Sequence, residues 1–272
     1  MSFIRVTESE SKYHDLEKKS VLEILKDMNA EDQTVPLAVE KCIPEIASLV
    51  ENLVPRMQEG GRLFYIGAGT SGRLGVVDAS ECPPTFGVPD DWVIGLIAGG
   101  DNAIRKAVEF AEDNETAAWN DLQSFVPDPL DSIIGIASSG TTPYVLGGLR
   151  YAQAAGLLTA CICCNPNSPI SQFADHKIEC IVGPEYITGS TRLKSGTAQK
   201  LILNMISSSL MIRLGRVQGN KMVDMALSNQ KLIDRGAKMI AHLTQLDADE
   251  ARERLLRLGS VRKVLEEVKK EI

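Results

Sequence analysis

The chain has 272 residues, enough to bury a full core and to form one large domain with helical attachments. Its 29 basic and 36 acidic residues leave a net charge of -7, and no dense Lys/Arg run occurs outside a short mixed segment near Arg252 to Lys263. This argues against nucleic acid as the main partner, because such binding rests on neutralising phosphates.

The first stretch, MSFIRVTESESKYHD, lacks the apolar centre of a signal peptide. No apolar run reaches the roughly 18 to 20 residues of a membrane span. A cytoplasmic protein with no membrane partner is the expectation. Leu16 to Met28 and Pro36 to Met57 carry apolar residues at helical spacing.

From Gly61 to Gly183 short apolar runs alternate with helical patterns. RLFYIGAG, WVIGLIAGG, DSIIGIASSG, LLTACICCN and KIECIVG each have the pattern of a strand buried on both faces. The intervening stretches of about 15 to 30 residues can hold crossover helices, so the fold class is α/β, with a five-stranded parallel sheet between helical layers. The six cysteines are Cys42, Cys82, Cys161, Cys163, Cys164 and Cys180. They read as reduced, small apolar residues, against a redox or metal role. None of His14, His176 and His242 stands at ligand spacing from a cysteine, so no metal site is expected.

The first strand runs into YIGAGTSGRLG, which satisfies G-x-G-x-x-G through Gly67, Gly69 and Gly72. A dinucleotide would also need an acidic residue roughly 20 residues on. Asp101, at 29 residues past Gly72, is late for that role. The third strand ends in Ser138, Ser139, Gly140, Thr141 and Thr142 before Pro143. Hydroxyls and free amides at a helix start suit a phosphate monoester, whereas helix capping alone is the plainer account. Two such loops at strand ends favour a phosphosugar. Neither contains the Lys of a P-loop, which excludes that pattern.

Glu81, in DASECPPTFG, is expected after a short helix and close to the first loop; it reads either as a reactive carboxyl or as a surface residue in a turn. Glu109, Glu112 and Asp113 fall in AIRKAVEFAEDNETA, read as a helix on which Glu109 and Glu112 share a face, and an ordinary acidic helix face is the alternative there. GPEYITGSTRLKSGTAQK then leads Ser190, Thr191, Lys194 and Ser195 into a long buried helix, where they suit either an anion or capping. DADEARERLLRLGSVRKVLEEVKKEI is a helical hairpin broken at Gly259, its charges a solvated face.

GAGTSG and SSGTTP resemble the phosphosugar-binding loops of sugar isomerase (SIS) domains. GAGTSGRLGVVDASECPPTFG, GLIAGG, VEFAED, MNAEDQTVPLAVE and GPEYITGSTRLKSGTAQKLILN together resemble the N-acetylmuramic acid 6-phosphate etherase family, from about Thr7 to Asp224. The resemblance implies a three-layer sandwich in three parts: N-terminal helices over 1–58, a sugar isomerase domain over 59–217 and a short helical extension over 218–272. It implies a carbon-oxygen lyase that removes D-lactate from its sugar phosphate by elimination and water addition, without a cofactor, as a homodimer with sites near the subunit interface. Glu81 would be the acid and Glu112 the base. Ser71, Ser138, Ser139 and Thr142 would hold the 6-phosphate, while Ser190, Thr191 and Lys194 would lie near the sugar, Lys194 meeting the lactyl carboxylate. After Asn229 this chain is more compact than the family pattern. Two other functions remain: a phosphosugar-binding regulator resembling the much longer glucokinase regulatory protein, and an aldose-ketose isomerase.

Overall fold

A computed structural model describes residues 3–271; Met1, Ser2 and Ile272, at the ends of the outer two parts, lie outside the described residues. Three helices precede the sheet: α1 (Val21–Asp32), α2 (Val35–Glu40) and α3 (Ile43–Gln58). Ser20 begins α1 with a capping box, its hydroxyl accepting from the Glu23 amide while Glu23 Oε2 accepts from the Ser20 amide. The single helix expected over Pro36 to Met57 is two, parted at Lys41 and Cys42. Pro44 in the first turn of α3 has no N–H to continue the earlier ladder and fits a new start.

The sheet follows as β1 (Leu63–Gly67), α4 (Gly69–Phe86), β2 (Val93–Ile97), α5 (Asn102–Arg105), α6 (Ala117–Gln123), β3 (Ser132–Ile136), α7 (Pro143–Ala154), β4 (Leu158–Cys163) and β5 (His176–Glu179). All five strands are parallel in the order β2-β1-β3-β4-β5. Every residue of β1 and β3 is buried, which explains why these strands read as unbroken apolar runs. One face packs on α3, α4 and the long α8 (Lys194–Arg213), through Leu49, Leu53, Tyr65, Ile134, Ile202 and Ile206. The other packs on α6 and α7 through Phe64, Ile66, Leu122, Tyr144 and Leu149. All six cysteines are buried thiols, consistent with packing use.

Two sequence expectations change here. α4 continues through Pro83 and Pro84, so Glu81 lies within a long helix rather than after a short one. Pro83 and Pro84 have no N–H to donate to the Ala79 and Ser80 carbonyls, so the last turn of α4 gives up two ladder bonds before Gly87 ends the helix in the left-handed region. The helix expected across AIRKAVEFAEDNETA stops at Arg105, and only a 3-10 turn, Ala111–Asp113, follows. At that end Arg73 on α4 donates its guanidinium hydrogens to the Ala103 and Ile104 carbonyls at 2.7 and 2.8 Å. A continued helix would need those carbonyls for Ala107 and Val108. Glu109 and Glu112 therefore share no helix face.

Beyond a two-stranded hairpin, β6 (Val217–Gln218) with β7 (Lys221–Met222), come α9 (Gln230–Thr244), α10 (Ala248–Leu258) and α11 (Val261–Glu271). Gly259, at φ 70°, separates the last two as expected. These elements enclose their own core of Val223, Met225, Ile240, Leu255 and Val264. The unit docks on the end of α4: the Ala226 amide donates to the Pro84 carbonyl at 3.1 Å. Among the described residues no helix is long and apolar enough to cross a membrane.

At Gly87, φ is 62° and an added Cβ would lie 1.8 Å from the Asp224 carbonyl oxygen. Gly87→Ala should therefore cost more than about 1–2 kcal/mol, the left-handed penalty alone, and should open the docking seam. The checks are a lowered melting temperature and faster proteolysis between Asp224 and Asn229; cleavage at the wild-type rate would contradict this account.

Candidate active site

The strand order reverses between β1 and β3, so α4 and α7 leave toward opposite faces and a crevice opens beyond the carboxyl ends of these two strands. Both Gly/Ser/Thr loops lie there. α4 has no side-chain cap, and its first turn holds the amides of Gly69, Thr70 and Ser71 without helical partners. α7 likewise begins at Pro143 with no side-chain cap on Thr142. These amides and the positive ends of two helix dipoles form an anion-binding geometry.

The hydroxyls are set by a residue that the sequence reading missed. Gln199 of α8 is fully buried; its Oε1 accepts from Ser71 Oγ at 3.0 Å and its Nε2 donates to Ser138 Oγ at 2.9 Å. Ser71 and Ser138 thus belong to one constellation. Ser139 Oγ turns instead to its own loop, accepting from the Thr141 amide and pairing with the Thr141 hydroxyl. Asn165 supports the same loop: its Nδ2 donates to the Ser139 carbonyl at 2.9 Å and to Thr7 Oγ1 at 2.9 Å. Gly140, at φ 71°, is pressed so close to Ser168 that an added Cβ would lie 2.3 Å from the Ser168 Cβ.

α8 brings its first turn to the same crevice, with Gly196 beside Thr70. Its cap is Glu185, which accepts from the Lys194 and Ser195 amides at 2.9 Å and from Ser195 Oγ at 2.7 Å. A carboxylate suits a helix N-terminus, so Ser195 is a partner of the cap rather than the cap. Ser190 and Thr191 lie in the preceding turn, partly buried. Lys194 is buried and committed within the chain: its Nζ meets Glu31 Oε2 of α1 at 2.5 Å. A ligand carboxylate at Lys194 would have to compete with Glu31. Burial pushes the Glu31 carboxyl up, but the Lys194 ammonium, Lys12 and the Tyr13 hydroxyl outweigh it and hold the group below the usual range.

Of the two carboxylates predicted to act together, Glu112 lines a cavity beside the first loop and Glu81 is not among the residues lining it. Glu112 lines a cavity of about 210 Å³ with Ala68, Gly69, Arg73 and Phe110, at the mouth of the first loop. Glu81 is exposed on α4, and the interval from Gly69 to Glu81 is about 18 Å at the helical rise. Because α4 runs back between two parallel strands, Glu81 sits toward their amino ends. Between it and the crevice, Asp78 ties α4 to α8 by accepting from Asn204 Nδ2 and Ser207 Oγ at 2.8 and 3.1 Å. Burial raises the Asp78 carboxyl above its ordinary value. Among the described residues no three His, Cys, Asp or Glu side chains gather as a metal set.

Glu31→Gln should leave the buried Lys194 ammonium unpaired and cost about 3–5 kcal/mol. The folded Glu31 carboxyl titrates below its ordinary 4.5, so its stabilisation is complete above that pH and is lost as pH falls beneath it. The melting-temperature gap between wild type and Glu31→Gln should therefore narrow below about pH 4.5; a gap that stays constant into acid would refute the pairing.

Three family models match the chain: the N-terminal SIS domain of glucokinase regulatory protein over residues 45–153, the SIS domain over 104–209 and the C-terminal lid domain of glucokinase regulatory protein over 219–271. A solved phosphoheptose isomerase from Neisseria gonorrhoeae is similar in fold, with a TM-score of 0.54 at 14% identity, over 70% of this chain and 98% of its own. Closer in sequence are two proteins named N-acetylmuramic acid 6-phosphate etherase. The one from Bacteroides fragilis is 60% identical over 268 residues, which is 98% of this chain and 95% of its own length. The one from Porphyromonas gingivalis is 61% identical over 267 residues, with 98% and 97% covered. The chain spans almost the whole length of these two relatives. With such identity along nearly the whole of both chains, this chain belongs to the N-acetylmuramic acid 6-phosphate etherase family.

Proposed function

We propose that the chain cleaves the D-lactyl ether of N-acetylmuramic acid 6-phosphate, giving N-acetylglucosamine 6-phosphate and D-lactate, a lyase step in the recycling of cell-wall amino sugars. The observation that carries the reading is the 60% identity to etherases over 98% of the chain. An anion-binding crevice with a carboxylate at its mouth supports it.

The 6-phosphate is assigned to the crevice, with the α4 amides, Ser71, Ser138, Ser139 and Thr142 around it and Ser190, Thr191 and Lys194 toward the sugar. Opening of the sugar to its aldehyde acidifies the C2 hydrogen. Glu112, as base, takes that proton; the C2 electron pair forms the C2–C3 double bond and the C3–O bond breaks. Glu81, as acid, protonates the departing lactate oxygen, without which an ether oxygen leaves poorly. Water then adds its hydroxyl to C3 and a proton returns to C2. No step calls for a cofactor.

The run of about 18 Å along α4 from Gly69 to Glu81 favours a two-subunit site, in which Glu81 of one copy serves the crevice of the other. Large apolar side chains stand exposed on α1, α2, α3, α4 and α8, among them Val21 (72%), Leu22, Leu37, Val77 and Ile212. Exposure of this extent favours coverage by a second copy. The chain divides at residues 58 and 217, the separate core after Val223 supporting the second boundary.

A second reading, phosphosugar binding without catalysis, is favoured by the two glucokinase regulatory protein models. One assay separates them. Incubation with N-acetylmuramic acid 6-phosphate in 18O-water should release D-lactate and place solvent oxygen on C3; binding without lactate release would sink the etherase reading. Glu112→Gln should lose both lactate release and exchange of the C2 hydrogen with deuterated solvent, whereas Glu81→Gln should lose release yet still exchange. Each variant alone should be inactive, and a randomised mixture of the two should regain about a quarter of wild-type activity, because one site in each mixed pair is then intact. No recovery on mixing would assign Glu81 to its own chain's site.

A further inference from the structure

We propose that Gln199 is a positioning residue that decides which serine of the crevice is free to donate a hydrogen bond to the substrate phosphate, an inference that rests on reading these loops as the phosphate site. A carboxamide has one accepting end and one donating end, so it cannot treat two hydroxyls alike. Ser71 spends its only hydroxyl hydrogen on Gln199 Oε1. It then faces the crevice with lone pairs, which an anion does not accept, and contributes through its amide at the start of α4. Ser138 is the reverse case: it receives the hydrogen of Gln199 Nε2 and keeps its own to give. With the amide turned end for end the roles exchange, but one serine donates at a time.

The arrangement has a further consequence. Ser71 follows β1, Ser138 follows β3 and Gln199 belongs to α8, so this one buried amide joins the two loops across the strand-order reversal. Full burial leaves no water to substitute for either bond, which makes the amide's polarity decisive rather than its bulk.

Two near-isosteric variants of the full chain separate polarity from packing. In Gln199→Glu an ionised carboxylate only accepts, so both serine hydrogens turn to it and the crevice gains a negative charge. Isothermal titration with inorganic phosphate should show affinity lower than wild type by roughly 10- to 100-fold at about pH 8. A buried carboxyl has a raised pKa, and once protonated it again offers one donor and one acceptor. The deficit relative to wild type should therefore shrink toward about pH 5.5, a rescue that lost packing cannot produce. Gln199→Met, which frees both serines, should lose less than about tenfold, equally at both pH values. With N-acetylmuramic acid 6-phosphate, KM should follow the same order while kcat changes little, and the melting temperatures report whether each variant is folded.

A folded Gln199→Glu that binds phosphate like wild type at the higher pH, a deficit that does not depend on pH, or a Met variant weaker than the Glu variant would each overturn the inference. So would a wild-type chain that binds no inorganic phosphate at any concentration tested. A wild type that binds phosphate with this order of variants yet releases no lactate would overturn the proposed reaction and leave the role of Gln199 standing.

Discussion

The reversal of strand order between β1 and β3 is the constraint on which the crevice depends. Right-handed crossovers send α4 to one face of the sheet and α7 to the other, so the two segments diverge after adjacent strands and open a crevice between them. Two helix N-termini open into that gap because of the topology. The same gap would destabilise a protein that left it unbraced, since its walls belong to segments far apart in sequence. Here the braces are buried polar bonds: Gln199 across the loops, Asn165 from Thr7 to the second loop, and Glu31 to Lys194.

Those braces carry a cost that explains their completeness. A buried amide or ammonium without a partner loses its hydration with nothing in return, so half-formed networks are worse than none. Lys194 illustrates the balance: a cation in the first turn of a helix opposes the dipole, and the structure sets Glu185 at the amides and Glu31 at the ammonium. A ligand anion drawn to Lys194 therefore enters an occupied electrostatic site.

Much of this architecture was legible from local pattern. The five strands, the hairpin at Gly259 and the two hydroxyl-rich loops follow from apolar runs, turn residues and capping chemistry, all of which act within a few residues. The family motifs raised Glu81 and Glu112 above ordinary surface acids. The failures share one physical origin. The segment after β2 has helical periodicity, yet its helix ends at Arg105, where Arg73 from another element meets the last carbonyls. Glu81 was expected after a short helix, yet packing carries α4 to Phe86. Gln199 and Asn165 gave one weak signal, a polar side chain within a buried apolar stretch.

The sequence by itself determined the fold class, the ends of the strands, the hydroxyl-rich loops and the membership of a family, because each is written in local spacing or in long matched motifs. Only the tertiary structure decided which groups meet. It set Ser71 and Ser138 on one amide, committed Lys194 to Glu31, held Glu112 at the mouth of the first loop and carried Glu81 to the far end of a helix. Contacts between residues more than a hundred positions apart, such as Ser71 with Gln199, depend on how the layers pack, and no local pattern encodes that distance.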